Sequence, residues 1–267
     1  MITSNKITQL KYSLSGFDHH DLERLSASRL MDRIDSKFLV PENALVNILD
    51  RCREDYSLLS INDEQIFQYD NVYFDTDDYT FYHMHHNGKL NRVKIRHRQY
   101  RCTNTAYLEI KFKNNKKRTI KKRVQVQENA LHALRDESDF VREYGFIDPA
   151  KLKTSQFSRY FRVCLANEQA GERITFDFFP EFHDARESRS VVLSDVVIVE
   201  LKQSCLNRKS EFFQLMKSMG YRPISFSKYC MGLYLAGNSR IKTNQFKQNG
   251  LQLGKINHQP LPVERVP

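Results

Sequence analysis

The sequence predicts an α+β fold built on an antiparallel sheet of about eight strands, with helices packed against it. Three observations carry that prediction. Short segments that alternate apolar and charged residues recur along the 267-residue chain. Stretches with apolar residues at helical spacing lie between them, and short polar turn signals join neighbouring strands. Successive side chains of a strand point to opposite faces, so each alternating segment has one apolar and one charged face.

Taken in order, residues 1–16 read as a polar leader and 18–29 as a short helix. MDRIDSKFLV (31–40) follows as an alternating strand. Pro41 suits the first turn of a helix whose Leu45, Ile48, Leu49 and Cys52 keep helical spacing. IFQYDNVYFDT (66–76) reads as an aromatic strand, and Asn87-Gly88 is a turn signal before NRVKIRHRQYR (91–101). Strands are expected at 105–113 and 118–127, joined by the polar hairpin NNKK, and a helix at 128–145. Further strands are expected at 156–166, 173–179, 189–193 and 195–203. A helix over 207–219 ends at Gly220. From 237 to 267 Asn, Gln, Lys and Pro occur without periodicity, which reads as a loosely structured tail. No internal repeat is present.

Charge is the second informative feature. The net charge is +10, and residues 91–123 hold thirteen Lys and Arg against the single acid Glu109. The basicity is therefore one local feature, which points to an anionic partner. Parity sharpens this. Arg33, Asp35 and Lys37 share a face, as do Arg92, Lys94, Arg96 and Arg98; Tyr107, Glu109 and Lys111; Lys121 and Arg123; Arg173, Thr175 and Asp177; and Glu200 and Lys202. Two arrangements fit. In one, half-buried strands turn their charged faces to water. In the other, the sheet curls around a cationic lumen and helices cover its apolar outside, leaving room for a small ligand. Parity alone does not choose between them.

Cys52, Cys102, Cys164, Cys205 and Cys230 are scattered singly, as expected for reduced thiols in the cytoplasm and not for a zinc site or disulfide framework. No stretch approaches the ~20 apolar residues of a membrane span. Lys113, Lys116, Lys117 and Arg118 flank a hairpin tip and read as solvent-exposed, as does Lys122 on the far face from Lys121. His83, His85 and His86 abut the turn without a matched partner and read as structural. Asp75 reads as holding a strand end. A basic stretch interleaved with Tyr100, Tyr107 and Phe112 could also suit a nucleic-acid backbone. Phe112 and Lys111 lie on opposite faces, however, so no specific nucleic acid is expected.

RIDSKF (33–38), YFDT (73–76), HHNGKLNRVKIRHRQY (85–100), YLEIKFK (107–113), RYFR (159–162), ERITFD (172–177), VELK (199–202) and FSKY (226–229) occur in register. Together they resemble the VTC domain, the polyphosphate-polymerase domain of the vacuolar transporter chaperone complex and its bacterial relatives, over about residues 17–235. The resemblance implies the triphosphate tunnel metalloenzyme (CYTH-like) fold, an antiparallel β-barrel tunnel of about eight strands with a cationic lumen, flanked by helices. It also implies a tunnel domain at 17–236. Hydrolases of that superfamily carry Glu-x-Glu-x-Lys on the first strand, where this chain has Arg33-Ile34-Asp35-Ser36-Lys37. That exchange puts a cation where a metal-binding acid would stand and weakens a simple tripolyphosphatase reading.

Carried over residue by residue, the resemblance implies catalytic roles for Lys37, Arg96, Arg98, Lys111, Arg162 and Arg173. It implies substrate contacts from Arg33, Lys121, Arg123, Ser227 and Lys228, and a divalent metal, Mn²⁺ or Mg²⁺, on Glu200. Asp177 and Glu109 are further orienting or metal-binding acids with less support. The implied activity is metal-dependent transfer of the γ-phosphate of ATP to inorganic polyphosphate. The alternatives are an inorganic triphosphatase of the same fold and a non-catalytic polyphosphate-binding module. Implied partners are ATP or another triphosphate, polyphosphate, and a membrane protein that would hold this otherwise stand-alone, cytoplasmic chain at the inner face of the membrane.

Overall fold

The computed structural model describes residues 2–27, 33–116, 118–127, 134, 137–257 and 261. Its centre is one large sheet. The strands along its main path are β2 (Ile34–Pro41), β4 (Phe67–Asp75), β5 (Arg92–Tyr100), β6 (Thr105–Lys113), β7 (Thr119–Val126), β8 (Lys153–Asn167), β9 (Glu172–Asp184) and β11 (Val196–Gln203). Short strands β1 (His19–His20), β3 (Ser57–Leu59) and β10 (Arg189–Val192) extend it. The order is β2-β11-β9-β8-β4-β5-β6-β7, with every neighbour antiparallel; only β1 and β3 pair in parallel.

Among the described residues no ladder joins β7 to β2, so the expected barrel is strongly curled but not strictly closed. The curl is nevertheless nearly complete. Lys37 on β2 and Lys121 on β7, at the two ends of the path, line one cavity. An isolated bridge from Lys37 to Ile224 brings residues 224–228 to this seam.

The apolar faces look outward onto helices. Phe38 and Val40, Ile174, Phe176 and Phe178, and Val197, Val199 and Leu201 pack against α1 (Ile2–Leu14), α3 (Leu45–Cys52) and α6 (Glu211–Ser218). Val93, Ile95, Leu108 and Ile110 pack with Phe81 of α4 (Thr80–His86) and Val141 of α5 (Ser138–Gly145). A third cluster joins β10 and β11 to α7 (Lys228–Leu235) and α8 (Lys247–Ile256). Burial of this much apolar surface is the main stabilising term. It leaves the charged faces inside the curl, the second of the two arrangements that parity allowed. None of the described helices is long and apolar enough to cross a membrane.

Several elements differ from the sequence reading. Residues 2–14 form α1, because Leu10, Leu14 and Phe17 at helical spacing enter the core. Over 18–29 the short helix is α2 (Leu22–Ala27), preceded by β1; residues 28–29 and 31–32 lie outside the described residues. Residues 128–133 and 135–136 of the helix expected at 128–145 also lie outside them, as does Lys117.

The expected loose tail contains α8, whose Leu253 is buried with Ile241, Phe246 and Leu261. Gly250 makes that docking possible: a Cβ there would stand 2.4 Å from the Tyr234 hydroxyl. Helix α7 carries no amphipathic period because Tyr229 through Leu235 are all buried. Strand β9 runs past Pro180, where a sequence reading stops. Tyr160 of β8 faces a bulge containing Phe179 (φ 49°) and Pro180, the setting in which a sheet tolerates proline.

Asp75 does hold a strand end. Its carboxylate accepts from the backbone N–H of Thr76, Phe81 and Tyr82 and from the Tyr229 hydroxyl, tying β4 to α4 and α7.

Candidate active site

The charged faces enclose a cavity of about 450 Å³. Of the sequence-derived candidates, Arg33, Lys37, Arg96, Arg98, Lys111, Lys121, Arg162, Glu200, Ser227 and Lys228 line it. Strands β2, β5, β6, β7, β8 and β11 each present one or more of them, so residues far apart in sequence converge because every strand obeys the same parity. Ser227 also caps α7, accepting from the Cys230 N–H, and this fixes Lys228 at the seam.

Two candidates are not brought into the cavity. Arg173 is half-buried further along β9, in register with Lys202 and Ala166. Arg123 lies one inward-facing position beyond Lys121 on β7, exposed, with its guanidinium 4.7 Å from the Tyr107 ring centroid. The sequence-derived set also omits lining residues. Lys94 was legible by its parity with Arg96, and Lys202 by its parity with Glu200. Tyr73 and Tyr160 carried no charge signal.

Three carboxylates organise the cations. Glu200 ion-pairs through one oxygen with Lys37 (2.9 Å) and through the other with Lys202 (2.9 Å). Asp177 receives both nitrogens of the Arg162 fork at 2.5 and 2.8 Å, and Lys228 as well. Glu109 accepts from Arg96 at 2.6 and 2.9 Å and from Lys121. Each acid thus sits between two cations. Among the described residues no acid is bonded to the Arg98 fork. It donates to Asn71 and to the Tyr160 hydroxyl, both at 2.8 Å, and lies 5.2 Å from the Tyr69 ring centroid. Lys94 and Lys111 are directly opposite each other on β5 and β6, and neither forms an ion pair among the described residues.

Electrostatics follow from this layout. Burial would raise the Asp177 carboxyl, but Arg162 and Lys228 outweigh it and hold the group at about 2. Glu109 and Glu200 are likewise held well below the usual carboxylate range, burial being overcome by Arg96, Arg98 and Lys121 for the first and by Lys202 and Lys37 for the second. Lys37 is raised because Glu200 overcomes its burial. Where burial and neighbouring cations outweigh the nearest acid, the effect reverses. Burial foremost, with Arg96 close by, pushes Lys94 down to about 8, and burial with Lys94 and Arg96 holds Lys111 well below the usual lysine range despite Glu109. His85 at the same cavity is pushed down to about 3, by burial first and then by Arg92 and Lys94.

These shifts set the pH dependence of stability. The carboxyls of Glu109, Asp177 and Glu200 are depressed in the folded state, so the unfolded chain binds more protons as pH falls through about 4. Their contribution is present above that pH and is lost toward about 2, the Asp177 value. Denaturant midpoints measured from pH 6 to pH 2 are expected to fall steeply below about pH 4. A flat profile would contradict the three clamped acids.

No group of three His, Cys, Asp or Glu that could hold a metal occurs among the described residues. Among the described residues, then, a resident metal centre built from protein ligands alone does not fit. What does fit is a hard cation shared with phosphate oxygens, since Mg²⁺ commonly takes one or two carboxylates and completes its shell with substrate. Asp35 and Glu200 are the carboxylates on the cavity wall.

The VTC domain family matches residues 32–236. Among solved structures, a Bacillus halodurans protein described as a candidate adenylate cyclase superposes with a TM-score of 0.50 at 15% identity, covering 73% of this chain and 94% of that one. A candidate adenylyl cyclase from Hippeastrum, described as having a dominant triphosphatase activity, gives 0.49 at 15% identity over 74% and 94%. A candidate adenylate cyclase from Vibrio parahaemolyticus gives 0.45 at 12% identity over 75% and 98%. No curated protein matches the chain. Strand parity, the cationic lumen and the match across 32–236 agree: the chain belongs to the VTC domain family and has the triphosphate-tunnel fold.

Proposed function

We propose that this protein is a metal-dependent polyphosphate polymerase, transferring the γ-phosphate of ATP to the end of an inorganic polyphosphate chain inside the lumen. The observation that carries the reading is the surplus of inward-facing cations. Among the described residues Lys94, Lys111 and Arg98 line the cavity without an ion pair to a carboxylate, and burial beside neighbouring cations lowers the proton affinity of Lys94 and Lys111. A polyanion is the ligand that relieves such a deficit.

The chemistry asks for positioning and charge stabilisation and needs no covalent nucleophile from the protein. The terminal oxygen of the chain forms a new P–O bond to the γ-phosphorus, the bond from that phosphorus to the β–γ bridging oxygen breaks, and ADP departs with the electron pair. The forks of Arg96, Arg98 and Arg162 suit the non-bridging phosphate oxygens, while Lys37, Lys111, Lys121, Lys202 and Lys228 supply mobile positive charge. Arg33 and Ser227 stand on the wall as further phosphate contacts. Mn²⁺ or Mg²⁺ bound between Glu200 and the triphosphate would neutralise charge on the transferring group. If water replaces the chain oxygen, the same site is a triphosphatase.

An acceptor experiment separates the two. With ATP and Mn²⁺, added short-chain polyphosphate is expected to accelerate ADP release, because it supplies chain ends. In a triphosphatase it would compete for the lumen and slow ADP release, and that result would overturn the polymerase reading.

A further inference from the structure

The VTC match ends at residue 236, yet the chain beyond it stands behind two pieces of the lumen wall. Residues 221–227 run as irregular chain, tied to β2 by the isolated bridge between Ile224 and Lys37. They bring Phe226, Ser227 and then Lys228 to the cavity, while His85 reaches it from the last turn of α4. On the outside, Asn249 of α8 donates from its side-chain amide to the Ser225 carbonyl at 2.6 Å. Ile224 and Phe226 share an apolar cluster with Leu253 and Ile256 of α8 and with Leu39 of β2. Just before α8, the Phe246 ring centroid stands 6.3 Å from that of His85 and 5.5 Å from that of His86. The Lys242 carbonyl accepts from the Tyr82 hydroxyl at 2.7 Å, and the Gln245 N–H donates to His86 Nε2 at 3.4 Å. One short stretch, 242–256, thus holds both pieces from behind.

We infer that residues 242–256 are a positioning element for the phosphate site: they set where Ser227, Lys228 and His85 stand in the lumen. This rests on the reading of the lumen as a phosphate site. Among the described residues no α8 side chain lines the cavity, so the helix acts through residues 224–228 and not by touching phosphate. Side chains carried on irregular chain are only as well placed as the contacts behind them. The strand-borne cations need no such help, because the ladders of β5, β6 and β8 fix Arg96, Arg98, Lys111 and Arg162. Lys228 differs. Its partner on the sheet is the Asp177 carboxylate, which Arg162 also holds, so a small shift of residues 224–228 changes how much of its charge phosphate meets. Phosphate on Lys228 and α8 on Ser225 favour the same placement of this segment, so each strengthens the other.

Amide hydrogen exchange and calorimetric titration of the full-length protein with inorganic tripolyphosphate, without metal, test this. In the wild type, saturating tripolyphosphate is expected to slow exchange in α8 by about tenfold more than in α1, which packs in a separate apolar cluster. Asn249→Ala removes one hydrogen bond near the surface and should weaken tripolyphosphate binding by about fivefold. In a Lys228→Met background the same substitution should cost less than about twofold, because its effect runs through Lys228. Gly250→Ala, which sets a Cβ against the Tyr234 hydroxyl and displaces the whole helix, should weaken binding more than Asn249→Ala. Equal slowing in α1 and α8, or an Asn249→Ala effect that is absent or undiminished by Lys228→Met, would overturn the positioning role. A wild-type protein that fails to bind tripolyphosphate would instead overturn the phosphate reading of the lumen, so the two failures are distinct.

Discussion

Glu200→Gln is expected to lower ATP turnover by about a hundredfold or more, the scale of several kcal/mol of lost charge stabilisation at the transferring phosphoryl group. The change keeps the side chain's shape and removes its charge. Glu200 is directly opposite Lys37 and Thr175 on the neighbouring strands, and its two oxygens hold Lys37 and Lys202. Without the carboxylate those two lysines lose their competing partner, so metal-free tripolyphosphate should bind as tightly as before or tighter. The signature is therefore a loss in kcat without a loss of phosphate affinity. Turnover unchanged in the Gln variant would remove Glu200 from the mechanism.

Asp177→Asn is expected to cost about 3–5 kcal/mol of stability, the usual penalty for removing one partner of a buried ion cluster. Asp177 is 1% exposed, and its partners Arg162 and Lys228 are 13% and 15% exposed. The substitution strands two cations that water barely reaches. Bound tripolyphosphate should restore much of the loss, because its oxygens can take the place of the carboxylate and a ligand at ~100 times its Kd adds about 2.7 kcal/mol. Urea unfolding with and without the ligand reads both effects. A variant as stable as wild type would show that the cluster contributes little. A variant that tripolyphosphate does not rescue would argue that Arg162 and Lys228 do not meet phosphate.

The faces of the strands were legible because side-chain parity has a fixed period of two. Once Lys37, Arg96 and Glu200 were placed on charged faces, curling the sheet was enough to bring them together. Parity also carried information that the residue list did not use. Lys94 and Lys202 share faces with Arg96 and Glu200, and Tyr100 and Tyr107 share faces with Arg98 and Lys111, unlike Phe112. The end of each strand was not legible, since a register says which residues share a face but not how far the ligand extends along it; Arg123 and Arg173 lie past that limit.

Local periodicity failed for a different reason in α7 and α8. Helix α7 is buried all round and has no polar stripe to reveal it, while α8 buries little more than Leu253 and depends on Gly250 to approach Tyr234. That no ladder joins β7 to β2 among the described residues could not be read from either strand, because pairing is a property of the pair.

The central claim is that an inward-facing surplus of cations holds a phosphate chain while it grows. Incubation with γ-labelled ATP and Mn²⁺, followed by gel electrophoresis of the products, tests it most directly. The label is expected to appear in a ladder of long phosphate chains, with ADP released in step. Label found only in orthophosphate would contradict polymerisation and leave a triphosphatase.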